Sequence, residues 1–341
     1  MLLTTCVFSL TVNTRIVLAY DVIYIRPDGS VNPPTAPIAR NGNVYTFTAN
    51  ISEPIVIQKD SLVVDGNGYW LLGSGENYGL FLYNRSNVTI RKTHITGYMY
   101  AVEMNLSTGN TVVNNFLEKS ENAAVSLESS TTTSIINNTI SRNLCGIYLE
   151  WSDNNNITGN EVKNNPFGIW ILGSSSNTVR NNTIANNSVS GMELDQSSTT
   201  ITHNDFIKNT AQATTSNSTN TWDSGYPFGG NYWSDSKGTD SYRGPYQNES
   251  GSDGICDAPY VIDANNTDRY PLMSPSYTAS LPGDLNGDGK VSLADLVILA
   301  LAYGSKPGDI KWNPVADIDG NGVVGLTDLV ILAKNYGKTA P

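Results

Sequence analysis

Residues 111–150 read TVVNNFLEKSENAAVSLESSTTTSIINNTISRNLCGIYLE and contain one pattern twice. Apolar runs of two to five residues are separated by Asn, Ser and Gly, and apolar positions recur every 22 or 23 residues. Four columns keep this register: Ile90, Val112, Ile135, Ile157, Val179 and Ile201; Ile95, Leu117, Ile140, Val162, Ile184 and Ile207; Val102, Val125, Ile147, Ile169 and Met192; and Met104, Leu127, Leu149, Ile171 and Leu194. Columns three and four are two residues apart, the alternation typical of a half-buried β-strand.

The length of these apolar runs decides between two repeat architectures. Runs this short, bounded by turn-forming residues, are below helix length and exclude a helical solenoid. The repeat therefore predicts an all-β fold, a right-handed parallel β-helix, in which like residues of successive turns stack about 4.8 Å apart. The less regular segment from about Tyr20 to Asn87 is interpreted as an N-terminal cap plus early turns of the solenoid, and the aromatic segment 222–273 as its C-terminal cap.

The chain is unusually rich in Asn. It contains 40, and 21 of them lie between Asn105 and Asn209. Asn tolerates left-handed corners and satisfies turn backbone, so a structural ladder is expected. The expected ladder is Asn115, Asn138, Asn160, Asn182 and Asn204. Gly146, Gly168 and Gly191 are expected to free the bend before the third strand of each turn.

The net charge limits the possible partners. Against 31 acidic residues there are 20 basic ones, which gives −11 at pH 7. The basic surface that a nucleic acid needs is therefore missing. No stretch after the N-terminus contains 18 apolar residues, so no membrane span is predicted.

The N-terminal segment has a composition typical of an export signal. Residues 1–19, MLLTTCVFSLTVNTRIVLA, are mostly apolar or small and suit cleavage before Tyr20, which predicts a signal peptide. The protein is thus expected to be secreted or extracellular, with cell-surface attachment left open. Eleven Asn-x-Ser/Thr sequons fit a glycosylated surface. Cys145 and Cys256 remain after cleavage, and the sequence leaves open whether they pair or stay as thiols.

Two matching acidic blocks, 33 residues apart, follow a short Ser/Pro segment at the C-terminus. Each has oxygen side chains at loop positions 1, 3, 5 and 12, Gly at position 6 and a backbone carbonyl at position 7, the ligand set that Ca²⁺ prefers. The candidate ligands are Asp284, Asn286, Asp288, Lys290, Ser292 and Asp295 in the first loop, and Asp317, Asp319, Asn321, Val323 and Asp328 in the second. Gly325 offers no side chain at position 9, so the second of the two calcium sites is expected to be weaker.

Outward residues beside columns three and four form an acidic stripe with aromatic neighbours. Glu128 and Glu150 should lie about 5 Å apart on adjacent turns, and Glu193 and Asp195 about 7 Å apart along one strand. These separations bracket the carboxylate spacings of retaining and inverting glycosidases. The candidate catalytic residues are therefore Glu128, Glu150, Glu193 and Asp195, and the candidates for stacking on sugar rings are Tyr148, Trp151 and Trp170.

Residues 22–273 resemble the NosD-like (CASH-type), carbohydrate-binding and sugar-hydrolase group of parallel β-helices. The resemblance lies in VIYIRPDGSVNPPTAPI, YTFTANISEPIVIQKDSLVVDGNGY, the N-x-I-x-x-N turns, and the closing GGNYWSD, GPYQNESGSDGICDAPYVID and NNTDRYPLM. The family name implies copper delivery. However, two His and five Met are few soft ligands for a copper site, and His94 and His203 are expected to be ordinary surface residues.

Residues 283–337 resemble a type I dockerin, in which Asp replaces the usual Glu at position 12 and the entering helix is absent. The resemblance implies two bound Ca²⁺ ions, paired EF-hand-like loops and a small all-α fold. It also implies a cohesin on a scaffold or surface protein as partner. Cohesin contact is expected at the start of the helices, at Leu293, Ala294, Leu326 and Thr327.

The domain boundaries that follow are 1–19 for the signal peptide, 20–275 for the β-helix with its caps, 276–282 for the linker and 283–338 for the dockerin. The expected function is to bind or degrade extracellular polysaccharide while docked to a cohesin. The sequence leaves open whether the protein is an enzyme, and if so whether it is a glycoside hydrolase or a polysaccharide lyase. The alternative is a non-catalytic surface protein used for adhesion, recognition or spacing.

Overall fold

The computed structural model describes residues 22–275, 282–286, 290–306, 309, 311–319 and 322–339. The predicted signal peptide, residues 276–281 of the predicted linker, and the candidate calcium ligands Asp288 and Asn321 lie outside the described residues.

The described chain is almost entirely β-structure. Its strands are β1 Ile23–Ile25, β2 Val31–Asn32, β3 Ile38–Asn41, β4 Val44–Phe47, β5 Ile55–Ile57, β6 Val63–Asp65, β7 Trp70–Leu72, β8 Tyr78–Tyr83, β9 Thr89–Arg91, β10 His94–Thr96, β11 Tyr100–Asn105, β12 Thr111–Val113, β13 Phe116–Glu118, β14 Ala123–Glu128, β15 Ser134–Ile136, β16 Thr139–Ser141, β17 Cys145–Glu150, β18 Asn156–Thr158, β19 Glu161–Lys163, β20 Phe167–Leu172, β21 Ser175–Arg180, β22 Thr183–Ala185, β23 Ser190–Asp195, β24 Ser198–Thr202, β25 Asp205–Ile207, β26 Ala211–Ser216, β27 Tyr232–Trp233, β28 Tyr242–Arg243, β29 Glu249–Ser250, β30 Tyr260–Asp263 and β31 Asn266–Asp268.

Three long sheets run along the axis of the solenoid. Sheet A has 10 strands in the order β2-β1-β5-β8-β11-β14-β17-β20-β23-β26, sheet B has nine in the order β24-β21-β18-β15-β12-β9-β6-β4-β3, and sheet C has eight in the order β27-β25-β22-β19-β16-β13-β10-β7. Each strand of the repeat pairs in parallel with the strand three places later in the chain, its equivalent in the next turn. This is the connectivity of a parallel β-helix. The predicted β-solenoid is confirmed.

The four apolar columns form the core. Their members from Ile90 to Leu194 are fully buried in one continuous cluster that fills the solenoid. The second column needs one correction. Ile184 pairs with Phe206, not with Ile207, so Phe206 is the buried member at the C-terminal end and Ile207 points outward.

The Asn-Asn pairs of the sequence mark the corners. In the pairs between Asn114 and Asn187 the first residue adopts a left-handed backbone conformation, as in Asn137 (φ 52°) and Asn181 (φ 54°). The second residue is buried and joins the ladder: Asn138 Nδ2 donates to Val112 O at 2.8 Å, and its backbone N–H donates to Asn160 Oδ1 at 2.9 Å. The predicted ladder is confirmed and continues beyond Asn204 to Asn231. A second ladder, unpredicted, comprises Asn143, Asn165, Asn187 and Asn209.

The glycines before the third strand have a different role from the one expected. Gly146, Gly168 and Gly191 do not adopt left-handed angles. They lie inside strands of sheet A, where a Cβ on Gly168 would come within 2.3 Å of Gly191 O and a Cβ on Gly146 within 2.5 Å of Gly168 O. These positions are therefore Gly because the next turn approaches too closely, and the expectation of a flexible bend was wrong.

Aromatic side chains close the C-terminal end of the solenoid. Trp233 stacks on Phe206 with ring centroids 4.4 Å apart and on Tyr260 at 4.1 Å. The Asn ladder ends here at buried Asp268, whose Oδ2 accepts the Asn231 N–H at 2.7 Å and the Trp233 indole N–H at 2.9 Å. This segment is the C-terminal cap. Cys145 and Cys256 are both buried and both free.

Two short helices lie near the C-terminus, α1 Leu293–Ala302 and α2 Leu326–Asn335, with a 3-10 turn at Pro314–Ala316 between them. They pack on a core of their own that includes Leu299, Ala316 and Leu332. None of the helices in the described part of the chain is long and apolar enough to cross a membrane.

Candidate functional sites

The outward side of sheet A carries an unusual combination of side chains, here called the acidic–aromatic face. Its residues are Tyr78, Tyr100, Glu103, Glu128, Tyr148, Glu150, Trp170, Glu193 and Asp195, contributed by β8, β11, β14, β17, β20 and β23. These positions point outward because their neighbours Val102, Val125, Ile147 and Leu149 belong to the buried columns. The face is therefore fixed by the same alternation that builds the core.

The structure places the four predicted carboxylates on this one face. Glu128 and Glu150 are directly opposite each other in β14 and β17, which sets their Cα atoms about 4.8 Å apart. Leu172 separates Glu150 from Asp195 in the same row. Glu193 is two residues from Asp195 on β23, and burial, then the charge of Asp195, raises the pKa of Glu193.

Glu103 is the carboxylate that sequence reasoning left out of the site. It lies diagonally across from Glu128, since its partner in the register is Ser126. Burial is the main cause that raises its pKa to about 7, with a smaller contribution from Glu128. Glu103 stands in the same outward row as Glu193, and this was the only sequence signal for it. Tyr78 and Tyr100, which are register partners on β8 and β11, were missed because neither lies between or directly after the apolar columns three and four.

The aromatic residues divide into two groups. Tyr148 and Trp170 occupy neighbouring positions of one row, with ring centroids 5.6 Å apart in a T-shaped arrangement. Trp151 lies at the corner after β17 in a left-handed conformation (φ 48°) and is 57% exposed. Its ring covers Gly173 of the next turn. The three predicted stacking residues thus lie on the middle and on one edge of the face.

The first calcium loop is organised by its last predicted ligand. Asp295 is fully buried; its Oδ1 accepts the N–H of Leu285 at 2.7 Å and of Asn286 at 3.0 Å, and its Oδ2 accepts the N–H of Ser292 at 2.8 Å. Ser292 in turn caps α1 by accepting the N–H of Ala294 at 3.2 Å. The position-12 carboxylate therefore ties the start of the loop to its end.

The second loop repeats this arrangement. Buried Asp328 accepts the N–H of Asp319 at 3.0 Å and of Gly325 at 2.7 Å. Carboxylate oxygens of Asp317, Asp319 and Asp328 lie within 4.8 Å of one another, a spacing that suits a shared cation. Gly322, at position 6, has a φ of 87°. Lys290 and Val323 occupy position 7 of the two loops, and α2 has no capping side chain at Gly325.

The predicted cohesin-contact residues stand at the start of the two helices and face solvent. Leu293 is 64% and Leu326 67% exposed, and Ala294 and Thr327 are exposed beside them. Val297 and Val330 extend each exposed patch by one helical turn. The first turns of the two helices therefore present equivalent exposed apolar patches.

A solenoid of stacked parallel turns followed by a pair of calcium-type loops defines a modular β-helix protein. The family model described as periplasmic copper-binding protein (NosD) matches residues 48–238, more than half of the chain, and the chain belongs to this family. The dockerin type I domain matches residues 282–336, so the C-terminal module is a dockerin. Type I dockerin domains generally bind calcium.

Among solved structures, the chain is similar to tailspike protein 2 from Escherichia coli O157:H7 bacteriophage CAB120, with 14% identity and a TM-score of 0.42 over 51% of this chain and 30% of that one. It is also similar to the periplasmic alginate epimerase AlgG, with 15% identity and a TM-score of 0.42 over 52% of this chain and 48% of that one. A third is DFA-IIIase from Arthrobacter chlorophenolicus A6, with 13% identity and a TM-score of 0.30 over 50% of this chain and 51% of that one. The chain thus spans at most about half the length of each. No curated protein matches it.

The family description names copper, but this chain has few side chains that suit a copper site. His94 packs edge-on against Trp70, with ring centroids 4.9 Å apart, and its buried Nδ1 has no hydrogen-bond partner. His203 is at a corner, with Nε2 2.8 Å from Phe228 O. Five strand-to-strand steps of sheet C separate the two, about 24 Å along the axis. Within the described ranges, the metal-type cluster of His, Cys, Asp and Glu is Asp317, Asp319 and Asp328, a hard oxygen set that does not suit copper.

Proposed function

We propose that this protein is exported and modular, with a β-helix that binds or degrades extracellular polysaccharide and a calcium-loaded dockerin that docks to a cohesin. The cohesin would belong to a scaffold or cell-surface protein, so the protein would act outside the cell, free or surface-attached. We retain the domain boundaries of 1–19 for the signal peptide, 20–275 for the β-helix, 276–282 for the linker and 283–338 for the dockerin.

The observation that carries the glycan half of this proposal is the acidic–aromatic face. Sugar rings present C–H surfaces that pack on aromatic faces, and hydroxyl groups that donate to carboxylates. Tyr148 and Trp170 offer the first kind of contact, and Glu128, Glu150 and Glu193 the second. Because these residues lie in rows along the axis, the face suits an extended chain lying across several turns.

If the face is catalytic, its geometry favours hydrolysis over elimination. A hydrolase needs one carboxyl group that keeps its proton and one that is ionised. Glu103, whose pKa is raised to about 7 by burial, is suited to the first role, and Glu128 and Glu150 to the second. A lyase needs a basic side chain as well, and Arg142, Lys163 and Arg180 lie on or beside sheets C and B.

Calcium supports the dockerin half of the proposal. Asp284, Asn286, Ser292 and Asp295 would hold one Ca²⁺ with Asp288 and the Lys290 carbonyl. Asp317, Asp319 and Asp328 would hold the other with Asn321 and the Val323 carbonyl. Binding would order the loops that precede α1 and α2. Leu293, Ala294, Leu326 and Thr327 would then be presented to the cohesin.

A non-catalytic adhesion or spacer protein is the second candidate. The outward side of sheet B favours it, because one row of register partners along this side consists of small polar residues: Thr89, Thr111, Ser134, Asn156, Thr178 and Thr200. A regular polar surface of this kind suits a solvated, glycosylated rod.

One experiment separates the two candidates. The full chain is incubated in Ca²⁺ with a panel of polysaccharides, and reducing ends and the absorbance of unsaturated products are followed. New reducing ends that disappear in Glu150→Gln or Glu193→Gln indicate a hydrolase, and unsaturated products indicate a lyase. Binding of intact glycan without products indicates a recognition protein. If no polysaccharide is bound or cleaved, the glycan half of the proposal is wrong.

A further inference from the structure

The acidic–aromatic face carries negative charge with no counter-charge on its own sheet. The 10 strands of sheet A, all of them described, contain Glu103, Glu128, Glu150, Glu193 and Asp195 but neither Lys nor Arg. All five acidic side chains point outward, because the alternating positions are in the buried core. A ligand lying along this face therefore meets acidic side chains on four of the five successive strands β11, β14, β17, β20 and β23.

Two basic residues that lie close in sequence to the strands of this face are bound elsewhere. Arg85, just after β8, donates to Tyr83 O and Gln58 O at 3.0 Å and pairs with Asp60. At the corner leading into β17, Arg142 pairs with Glu118 of sheet C. These two cations therefore pair away from the face.

The outward row that contains Glu128 and Glu150 is rich in hydrogen-bond acceptors. Oδ1 of Asn105 and Oδ1 of Asp195 are buried and have no hydrogen-bond partner among the described residues. Both belong to the same outward row as Glu128 and Glu150. These two atoms are covered by the protein itself. The carboxylates of Glu128, which is exposed, and Glu150, which is half-buried, are the acceptors of this row to which the hydroxyl groups of a sugar can donate.

We infer that the acidic–aromatic face binds a polysaccharide that has no carboxylate or sulfate groups and discriminates against uronate and sulfated polymers. This inference rests on the proposed function and adds the chemical class of the ligand. An uncharged sugar donates its hydroxyl groups to Glu128 and Glu150 and packs on Tyr148 and Trp170. A uronate in the same position would instead place like charges next to Glu128 and Glu150.

The test uses one polymer in two charge states. Binding of the full chain to polygalacturonate is compared with binding to the same backbone after methyl esterification, by affinity electrophoresis at low and high salt. Neutral β-glucan and mannan extend the uncharged arm, and alginate extends the anionic arm. We expect binding to the preferred uncharged polymer at least tenfold tighter than to any anionic one at low salt, with the difference shrinking at high salt.

Charge-neutralised variants provide the matched control. Glu128→Gln with Glu150→Gln keeps the shape of the face and removes two charges, so anionic binding should rise relative to uncharged binding. Gln substitution at exposed Glu249, in the C-terminal cap, changes the net charge of the chain by one and should leave the preference unaltered. The inference is overturned if anionic polymers bind as tightly as uncharged ones, or if neutralisation does not change the ratio.

An arm in EDTA addresses bridging by calcium. Anionic binding that appears only with Ca²⁺ would mean that the carboxylates recruit a cation to hold the polymer, which also overturns the inference. Failure of the proposed function gives a different result, since no polymer of either class would then be bound in any arm.

Discussion

The backbone N–H of Asn165 donates a 3.0 Å hydrogen bond to Oδ1 of Asn187, its equivalent one turn later. The Asn165 side chain makes the same contact with the preceding turn, since its Oδ1 accepts the N–H of Asn143 at 2.9 Å. Each ladder Asn thus satisfies the corner of a neighbouring turn in a core where water cannot do so. Asn164 takes no part in this ladder; it is exposed and adopts a left-handed φ of 57°.

Substitution should destabilise the protein strongly at Asn165 and only weakly at Asn164. Asn165→Ala leaves the Asn143 N–H buried without an acceptor, which costs about 1–3 kcal/mol of the free energy of unfolding. Asn164→Gly keeps the left-handed corner accessible and should change stability by less than about 1 kcal/mol. Urea denaturation followed by tryptophan fluorescence measures both. Equal losses in the two variants would contradict the ladder as the source of stability.

Gly168 is predicted to be intolerant of even a methyl group. A Cβ there would lie 2.3 Å from Gly191 O and 2.9 Å from Asn187 Nδ2, and the two turns would have to separate. Gly168→Ala should destabilise the β-helix by about 3 kcal/mol, since overpacking of a rigid core is costly. Should this variant fail to accumulate as folded protein, Gly146→Ala offers a second test at a similar approach of 2.5 Å.

Ala101→Gly is the matched control for this prediction. Ala101 holds the equivalent position three turns earlier, as the second residue of β11, and is fully buried. Removing its methyl group should cost only about 0.5–1 kcal/mol. A Gly168→Ala variant as stable as the wild type would show that the turns can move apart at little cost.

The fold and the candidate site could be predicted from the sequence to different extents. The strands were predictable because their inward residues repeat every 22 or 23 positions, so Val125, Ile147 and Ile169 could be aligned by their spacing alone. The close approach at Gly168 was not, since periodicity gives the order of residues but not the distance between turns. Phe206 and Ile207 show the same limit, because a step of either 22 or 23 fits the pattern.

The site was predicted less completely than the fold. Glu128 and Glu150 were found because they directly follow an apolar column. Glu103 was not predicted, because its raised pKa is caused mainly by burial. The burial of a side chain on an outward face cannot be inferred from the spacing of residues. The catalytic and stacking roles of these residues remain predictions.

The pKa of Glu103 predicts a specific dependence of stability on pH. Burial raises this pKa from 4.5 to about 7 in the folded protein, so between these values the folded state holds a proton that the unfolded state has lost. Glu103 therefore destabilises the fold progressively as the pH rises from about 4.5 to 7, and the effect is complete above pH 7. Glu103→Gln removes it, so the variant should gain stability over the wild type on raising the pH from 5 to 8.

The measurement is the free energy of unfolding of both proteins across this range. Carboxyl groups distant from Glu103 titrate alike in the two proteins, so the difference between the curves reports Glu103 and its coupling to Glu128. Glu128→Gln is the comparison, since Glu128 is exposed on the same face. A Glu103→Gln difference that does not change with pH would show that this carboxyl group is ionised at an ordinary pKa.

Removal of Asp319 should abolish the second calcium site and leave the first intact. The Asp319 carboxylate lies within 4.8 Å of ligand atoms of Asp317 and Asp328, while the N–H groups of Gly322 and Gly325 donate to Asp317 and Asp328. Asp319→Ala should therefore reduce the number of bound Ca²⁺ ions from two to one in isothermal titration calorimetry. At a free Ca²⁺ concentration about 1,000 times the dissociation constant, the lost site takes away about 4 kcal/mol of stabilisation. In EDTA the difference in stability between the variant and the wild type should shrink, because neither protein then holds the ion. A variant that is equally destabilised in EDTA would mean that Asp319 supports the loop without calcium.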